Sequence, residues 1–275
     1  MKITVLIENS APEDLTAEWG LSLYIEHEGR RYLLDAGSSN AFADNARSLG
    51  VPLDKVDAAV LSHAHYDHSG GLDAFCTLNG RAPVYIRKSA GEDCYSWHRR
   101  FPKYIGVQKG VLKKHEKRFV RVDGDFEIAP GVTLTAHRGS GLRAKGKAAQ
   151  MYVRRGLILL PDEFRHEQSL VFDTGDGLVI FNSCSHSGVD DILDETAQIF
   201  PGRPVLAMVG GFHLFRTPPR EVRLLAERLL KMGAPELYTG HCTGDAAMEI
   251  LSEMLPGRVH AMTTGMRFEI GEAGA

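Results

Sequence analysis

The feature that most constrains this chain is an abrupt change from apolar to polar residues after position 61. Residues 56–61 are apolar apart from Asp57, with β-branched Val56 and Val60 and no helical period, and such a run predicts a short buried strand. The polar residues that follow are His63-Ala64-His65-Tyr66-Asp67-His68. A Ser-Gly-Gly sequence comes next, which predicts a turn and a helix that begins near Leu72.

The residue types in this polar loop are those that bind metal ions. His63 and His65 are two positions apart, so both side chains project to the same side of an extended segment. Neutral imidazole and carboxylate are ligands that borderline divalent metals prefer, and two pairs in so short a span indicate two metals side by side. A polar loop with chance histidines is a poor alternative, because the whole chain contains only twelve histidines.

Composition limits the classes of protein to which the chain can belong. The net charge of −3 argues against bulk electrostatic binding to nucleic acid or to a membrane surface. No apolar run is long enough to span a membrane, and the N-terminal segment does not resemble a signal peptide. The four cysteines form no CxxC pair, so we expect free thiols and a cytoplasmic location.

Three later segments repeat the order strand, polar loop, helix. The predicted strands are 178–181, 205–209 and 237–239, and each is followed by a predicted helix. The loop after each strand contains one histidine: His186, His213 or His241. Because open α/β sheets bind ligands at the carboxyl ends of their strands, we expect all three histidines near the metal loop.

The remaining elements are predicted from shorter patterns. The expected strands and first helix are 2–7, 21–26, 31–35, a pair around Pro130-Gly131, 169–172, and the helix 41–46. Two strands at 259–262 and 266–270 are expected to form a final hairpin. Residues 139–147 are rich in glycine and basic residues, and we predict a mobile loop there.

Residues 81–121 differ in composition from the rest of the chain. This stretch contains twelve Lys or Arg residues against three acidic ones, with aromatic residues interleaved. We interpret it as a basic insertion beside the metal site that attracts an anionic substrate, with Arg99 and Arg100 as candidate contacts. A solvated basic surface over packed aromatic side chains is the alternative.

Together these motifs resemble the metallo-β-lactamase superfamily. The metal loop carries a His-x-His-x-Asp-His pattern, and the supporting motifs are Gly20-Leu21-Ser22, Cys184-Ser185-His186, Gly211-Phe212-His213 and Gly240-His241. The combination is similar to the branch that includes archaeal dihydropterin ribofuranosylaminobenzene-phosphate synthases. The resemblance covers most of the chain, and it implies an α/β fold, an αββα sandwich formed by a single domain over residues 1–275. It also implies a binuclear site that usually holds zinc.

The resemblance implies a set of ligands as well. The expected ligands of one metal are His63, His65 and His186, and those of the other are Asp67, His68 and His241. The superfamily often places a bridging aspartate after a strand that resembles 178–181, but Ser183-Cys184 occupies that place here. Either His186 or Cys184 then replaces the bridge, or a carboxylate comes from elsewhere. Glu167 and the adjacent His166 are further candidates for the third ligand.

Two further positions bear on the same resemblance. Members of the branch tend to have a histidine before Gly-Leu-Ser, whereas this chain has Trp19, so the role of that histidine is absent or supplied otherwise. Asp35 precedes Ala36-Gly37 and is either a support for a metal ligand or an ordinary turn aspartate.

These features imply a metal-dependent hydrolase that acts on a small anionic or phosphate-bearing molecule. Zn²⁺ is the expected cation, with Mn²⁺ or Fe²⁺ as alternatives, and two such cations would activate water. Asp67 would orient that water or shuttle its proton, and His213 would protonate the leaving group unless it is a ligand itself. The alternative functions are a nuclease or phosphodiesterase, a synthase, and a metal-holding protein without turnover.

Overall fold

The computed structural model describes residues 1–98 and 101–271, except for the side chain of His98. Arg99 and Arg100, the two candidate anion contacts, therefore lie outside the described residues. The same holds for the four residues that end the chain.

Several strands follow one another directly in the first part of the chain, and strands and helices alternate from residue 178 to residue 261. The strands are β1 (Lys2–Ile7), β2 (Ser22–His27), β3 (Arg30–Leu34), β4 (Ala58–Val60), β5 (Val84–Arg87), β6 (Cys94–His98), β7 (Phe101–Tyr104), β8 (Phe119–Val122), β9 (Phe126–Ala129), β10 (Val132–Ala136), β11 (Met151–Arg155), β12 (Ile158–Pro161), β13 (Gln168–Asp173), β14 (Leu178–Phe181), β15 (Val205–Gly210), β16 (Glu236–Thr239), β17 (Val259–Ala261) and β18 (Arg267–Glu269). The helices are α1 (Ala41–Ser48), α2 (Tyr66–Ser69), α3 (Leu72–Leu78), α4 (Val111–Lys114), α5 (Leu142–Ala148), α6 (Val189–Ile199), α7 (Pro219–Lys231) and α8 (Asp245–Met254).

Two seven-stranded sheets form the centre of the molecule. The first sheet has the order β18-β1-β2-β3-β4-β5-β8, and the second has the order β17-β16-β15-β14-β13-β10-β9. In the second sheet, β14, β15, β16 and β17 are parallel neighbours. Parallel neighbours bring the carboxyl ends of their strands to one edge of the sheet, where loop residues from distant positions can meet.

Side chains alternate along the strands between two apolar layers, as the pleat of a strand requires. In β3, Tyr32 and Leu34 pack between the sheets, whereas Leu33 faces the helices α1 and α3. In β14, Phe181 packs between the sheets and Ile180 faces the helices α6, α7 and α8. The order of layers is therefore helix, sheet, sheet, helix, and the predicted αββα sandwich is confirmed.

A smaller four-stranded sheet stands beside the sandwich, with the order β12-β11-β6-β7. Its strands come from two separate stretches of the chain, so the sheet is not built from the basic insertion alone. The stretch 81–121 begins and ends in strands of the first sheet, β5 and β8. Only its middle part therefore projects from the sandwich, and a backbone bridge between His65 and Gly106 fastens that part to the metal loop.

Most of the predicted elements are confirmed within one to three residues at each end. The predicted mobile loop at 139–147 is wrong, because α5 occupies Leu142–Ala148. The predicted final hairpin is also wrong, since β17 pairs with β16 in the second sheet and β18 pairs with β1 in the first. No helix within residues 1–98 or 101–271 is long and apolar enough to cross a membrane.

Candidate metal centre

The predicted site residues meet at one edge of the sandwich. His63 follows β4 in the first sheet, and the loops after β14, β15 and β16 carry His186, His213 and His241. Gly210 lets the β15 loop pack closely, because a Cβ atom there would lie 1.9 Å from the Asn182 carbonyl oxygen, and its φ of 139° also favours glycine.

The first donor set consists of His63, His65 and His186. The three rings are mutually close, with centroid distances of 4.6 Å from His63 to His65 and 4.9 Å from each of them to His186. Nε2 of His63, Nε2 of His65 and both ring nitrogens of His186 are buried and have no hydrogen-bond partner among the described residues. Orphaned polar atoms of this kind are rare in folded proteins and indicate that a further group binds them.

The second donor set consists of Asp67, His68 and His241. Nε2 of His68 and Nε2 of His241 are 3.2 Å apart. The Oδ2 atom of Asp67 lies 3.8 Å from the first of these nitrogens and 3.5 Å from the second. Tetrahedral zinc with nitrogen ligands at about 2.0–2.1 Å separates those ligands by roughly 3.3 Å, so the spacing of these three atoms is that of a metal's ligands.

Hydrogen bonds from the far side hold His68 and His63 in place. Nδ1 of His68 lies 2.9 Å from Oδ2 of Asp35, and the Ser62 hydroxyl donates to the same oxygen at 2.6 Å. The same hydroxyl lies 2.9 Å from Nδ1 of His63. Such partners fix the ring orientation and the tautomer of a ligating histidine. Asp35 is therefore a support for a site residue rather than an ordinary turn aspartate.

The far-side partners of His241 were not predicted from the sequence. Oδ1 of Asn9 lies 3.0 Å from Nδ1 of His241, and Oε1 of Glu8 accepts the His241 backbone N–H at 2.6 Å. Both residues directly follow β1, and a polar pair just after a buried strand is the one signal that could have revealed them.

Glu167 supports the His186 loop instead of standing among the donor atoms. Its carboxylate accepts the backbone N–H of His186 at 2.7 Å and that of Ser187 at 2.9 Å, together with the Ser187 hydroxyl at 2.6 Å. The carboxylate is buried and faces the loop backbone.

Several loop residues of the centre have a left-handed backbone. The φ angles are 59° at Asp35, 49° at Ser185, 51° at His213 and 49° at His241. This conformation is unfavourable for residues other than glycine, and it persists where the surrounding structure fixes it, often at functional sites.

Burial and neighbouring side chains shift the pKa values of the first donor set and of Asp67. Burial and the neighbouring imidazoles lower the pKa of His63 and His186, and burial lowers that of His65 to about 3. These rings are therefore neutral near pH 7, which is the form that binds metal. Burial opposes ionisation of Asp67, but His68 and His241 outweigh it and hold the pKa of this carboxyl below its ordinary value.

Cys184 lies between the two donor sets. Its sulfur is 3.2 Å from Nε2 of His68 and also lies within 4.8 Å of a ring nitrogen of His63, of His186 and of His241. A second sulfur, that of Cys242, is 3.4 Å from Cys184 Sγ and accepts the His213 backbone N–H at 3.2 Å. Burial raises the pKa of the Cys184 thiol, and the adjacent Cys242 raises it further.

Trp19 takes part in the centre as a hydrogen-bond donor. Its indole N–H donates to Oδ2 of Asp67 at 3.0 Å. The ring also packs against the rings of His241 and Phe215, at centroid distances of 4.8 Å and 5.7 Å. An N–H donor to Asp67 is thus present at the position where the resemblance led us to expect a histidine.

A cavity of about 590 Å³ opens onto both donor sets. Three half-exposed aromatic residues line its mouth: Trp19, Tyr66 and Phe215. Of its basic residues, Lys145 pairs with Asp191 and Arg228 pairs with Asp190. Lys103 and Arg216 have no acidic partner among the described residues and are the cations available to a ligand.

A second polar cluster lies next to His65, and its Asp162 and His166 side chains form hydrogen bonds within the cluster. Nε2 of His166 is 2.9 Å from Oδ2 of Asp162, and Oδ1 of Asp162 accepts the Phe164 backbone N–H at 2.7 Å. Cys94 belongs to the same cluster, and a ring nitrogen of His65 lies within 4.8 Å of its donor atoms. His166, which the sequence suggested as a replacement ligand, is therefore bound to a carboxylate.

Three other histidines also have carboxylate partners away from the centre. His137 lies 3.0 Å from Glu195, His115 lies 2.6 Å from Asp73, and His260 lies 2.8 Å from Glu236.

Comparison with known proteins identifies the family. A family model described as the metallo-beta-lactamase superfamily matches residues 18–147, which include the metal loop. A solved structure described as Tm1679, a metal-dependent hydrolase of the beta-lactamase superfamily, is 30% identical, with a TM-score of 0.85 over 99% of this chain and 100% of that one. The chain belongs to the metallo-beta-lactamase superfamily.

One further relative bears on the branch, and one further solved structure bears on the fold. The 7,8-dihydropterin-6-methyl-4-(beta-D-ribofuranosyl)-aminobenzene-5'-phosphate synthase of Methanocaldococcus jannaschii is 26% identical over 92% of this chain and 91% of that protein. The metallo-beta-lactamase fold protein YhfI of Bacillus subtilis is 14% identical, with a TM-score of 0.60 over 97% of this chain and 98% of that one, and shows the shared fold. The resemblance to the synthase branch that the motifs indicated is confirmed.

Proposed function

We propose that this chain is a hydrolase that uses two divalent cations to cleave a small anionic, phosphate-bearing substrate. The observation that carries the proposal is the convergence of two three-residue donor sets at one cavity of about 590 Å³. Cavities of about 300–1,000 Å³ are typical sites for small molecules.

The residues present fit the cations that the superfamily implies. His63, His65 and His186 offer neutral imidazoles with orphaned nitrogen atoms to one cation. The second donor set offers two imidazoles and one carboxylate at the spacing of a metal's ligands. Imidazole with carboxylate suits Zn²⁺ first, and Mn²⁺ or Fe²⁺ are the alternatives.

The chemistry that divalent cations supply at such a site is a lowered pKa for water and polarisation of the bond that is cleaved. Asp67 is the side chain that handles the proton of the water molecule. Its lowered pKa keeps the carboxylate ionised at neutral pH, so that it can orient a water molecule or accept its proton. The indole N–H of Trp19 fixes the carboxylate for this task.

His213 is the candidate donor of a proton to the leaving group. It lines the cavity, its ring centroid is 4.4 Å from that of His186, and its Nδ1 atom has no partner among the described residues. A ring at the border of the centre can contact a substrate without being a ligand itself.

The basic stretch 81–121 contributes less free charge than its composition suggests. Arg81, Lys88 and Lys114 pair with acidic side chains, whereas Arg87 and Arg118 donate to backbone carbonyl oxygens. Lys103 remains available at the cavity and is joined there by Arg216 from another loop. Two cations at the mouth of a small cavity suit a small anion better than a nucleic-acid strand.

Hydrolysis assays on the purified protein test this proposal. The panel contains phosphomonoesters, phosphodiesters, lactones and thioesters, before chelation, after chelation and after the return of Zn²⁺, Mn²⁺ or Fe²⁺. We expect turnover of a phosphate-bearing substrate that chelation abolishes and metal restores. Absence of hydrolysis by protein that holds two metals would reject the hydrolase assignment.

A synthase is the second candidate, favoured by the 26% identity to the M. jannaschii enzyme over 92% of this chain. Product analysis separates the two, because a hydrolase adds water to one substrate, whereas a synthase joins two. The cytoplasm remains the location that we propose, on the sequence grounds given above.

A further inference from the structure

The sulfur atoms of Cys184 and Cys242 are part of the centre, and the proposed function gives neither of them a task. Both side chains are buried, both line the cavity, and both are free thiols. Their sulfur atoms are 3.4 Å apart. The fold leaves room for Cys242, because a Cβ atom at Gly211 would lie 2.6 Å from its sulfur.

The position of Cys184 is that of an atom shared between the two donor sets. Its sulfur groups with His63 and His186 of the first set, and with His68 and His241 of the second, always within 4.8 Å. Cys242 groups with Cys184 and His241. Cys184 is therefore central, and Cys242 lies to one side of it.

The closest of these contacts has the spacing of two ligands on one metal. Cys184 Sγ is 3.2 Å from Nε2 of His68. Zinc binds sulfur at about 2.3 Å and imidazole nitrogen at about 2.0–2.1 Å, which places tetrahedral sulfur and nitrogen ligands roughly 3.5 Å apart.

Charge favours the same assignment. Without a bridging carboxylate, Asp67 is the only anion among the six proposed ligands, and it faces two cations with a combined charge of about +4. A thiolate adds the missing negative charge between the two cations. A bound metal ion deprotonates a coordinating thiol outright.

We propose that Cys184, as a thiolate, bridges the two metal positions, and that the Cys242 thiol donates a hydrogen bond to its sulfur. This inference rests on the proposed binuclear site. It also narrows the choice of metal, because thiolate ligands select Zn²⁺ and other soft or borderline cations over Mn²⁺.

Cobalt substitution tests the bridge through a spectrum rather than through activity. The full-length protein is stripped with a chelator and loaded with Co²⁺, and its near-ultraviolet absorption is recorded. We expect a thiolate-to-cobalt charge-transfer band in the wild type. Cys184→Ser should lose the band, and Cys242→Ala should keep it at a shifted wavelength because the Cys184 sulfur loses its hydrogen-bond donor.

Cys76→Ser is the matched control, since Cys76 is a buried free thiol that packs in the apolar layer between the first sheet and its helices. It should leave the band unchanged. A band that survives in Cys184→Ser, or that is absent from the wild type, overturns the proposal.

A measurement on the wild type avoids any folding defect of the variants. Alkylation followed by mass spectrometry compares zinc-loaded and chelated protein, residue by residue. We expect chelation to increase modification of Cys184 and to leave Cys76 unchanged, and equal modification of Cys184 in both states contradicts the bridge.

Elemental analysis of the same samples separates the bridge from the binuclear site. Protein that holds two metals without a thiolate signature rejects the bridge alone. Protein that holds no metal rejects the binuclear site as well.

Discussion

Two clusters of buried histidine and carboxylate side chains lie next to each other in this molecule. They differ in whether their buried nitrogen and oxygen atoms have hydrogen-bond partners. In the first donor set of the metal centre, imidazole nitrogens of all three histidines are buried without partners among the described residues. In the neighbouring cluster, Asp162 and His166 bond each other at 2.9 Å and have no orphaned side-chain atom in the described structure. His65 lies between the two clusters, with its ring centroid 5.2 Å from that of His166.

This difference in hydrogen bonding distinguishes a site that binds a ligand from a cluster that stabilises the fold. The same residue types occur in both, so composition alone does not distinguish them. What distinguishes them is the number of hydrogen-bonding atoms left without a partner, because burying such an atom costs free energy unless something binds it. The metal centre therefore requires a further component, and the Asp162 cluster does not.

Removal of a proposed metal ligand should have the largest effect on turnover. It would sharpen the contrast between the metal centre and the Asp162 cluster. Asp67→Ala and His241→Ala should each lower kcat/KM by at least about 100-fold, because even partners of ligating residues are worth 10–100-fold. Circular dichroism should show an intact fold, since both residues lie at the edge of the sandwich. Full activity in either variant would remove that residue from the site.

Asp162→Ala should affect stability rather than metal content. It leaves the buried His166 ring and the Phe164 N–H without their partner, and we expect a loss of about 2–4 kcal/mol in the free energy of unfolding. His166 holds the pKa of Asp162 below its ordinary value against the opposing effect of burial. The carboxylate's contribution is therefore present at neutral pH and lost as the pH falls through this lowered pKa.

Asp73→Ala is the control for that experiment, because Asp73 bonds His115 at 2.6 Å and Lys114 in a more exposed position. A pair of this kind contributes about 0–1 kcal/mol. Denaturant titration measures both variants. Loss of metal from Asp162→Ala at unchanged stability would break the distinction between the clusters.

Trp19→Phe should have a moderate effect on turnover. The change keeps the aromatic ring against His241 but removes the N–H that holds Asp67, and hydrogen bonds to charged groups contribute about 1.5–3 kcal/mol. We expect kcat to fall roughly 10-fold with metal content unchanged. Trp19→His restores a nitrogen donor and should recover part of the loss, and unchanged kinetics in Trp19→Phe would leave the indole with a packing role only.

Lys103→Ala should have the smallest effect and should appear in KM. The Lys103 charge lies at the mouth of the cavity, where it contacts ground state and transition state alike, so KM should rise about 2–5-fold with little change in kcat. The effect should shrink at high salt. Lys113→Ala removes a charge from an exposed position outside the cavity lining and should change nothing; equal effects of both variants would assign the attraction to overall charge.

Most of the fold could be predicted from the sequence, because the apolar residues of its strands and helices recur at the period of those elements. The alternation in β3 and the apolar stripe of α7 each indicate which side of the element is buried. The final strands were predicted wrongly for a physical reason: β17 and β18 are close in sequence but belong to different sheets, and local pattern carries no information about the partner of a strand. The helix α5 was missed for a similar reason. Gly141 precedes it with a left-handed backbone, and a glycine-rich composition alone predicts a loop there.

The donor residues were found from the sequence because they follow strands and share a chemistry. Their supports were not, since Glu8, Asn9 and Trp19 are more than forty positions from the residues that they hold. Nor could the position of Cys184 between the two sets be inferred from spacing, because it depends on how the β14 loop packs against the metal loop.

The metal content of the wild-type protein is the most direct test of the account. Protein purified without chelator is examined by elemental analysis, with chelator-treated protein as the reference for activity and thermal stability. We predict about two divalent cations per chain, with zinc predominant, and loss of activity on their removal. A content near zero, with folding and activity that chelators leave unchanged, would contradict the claim that the orphaned histidines exist to bind metal.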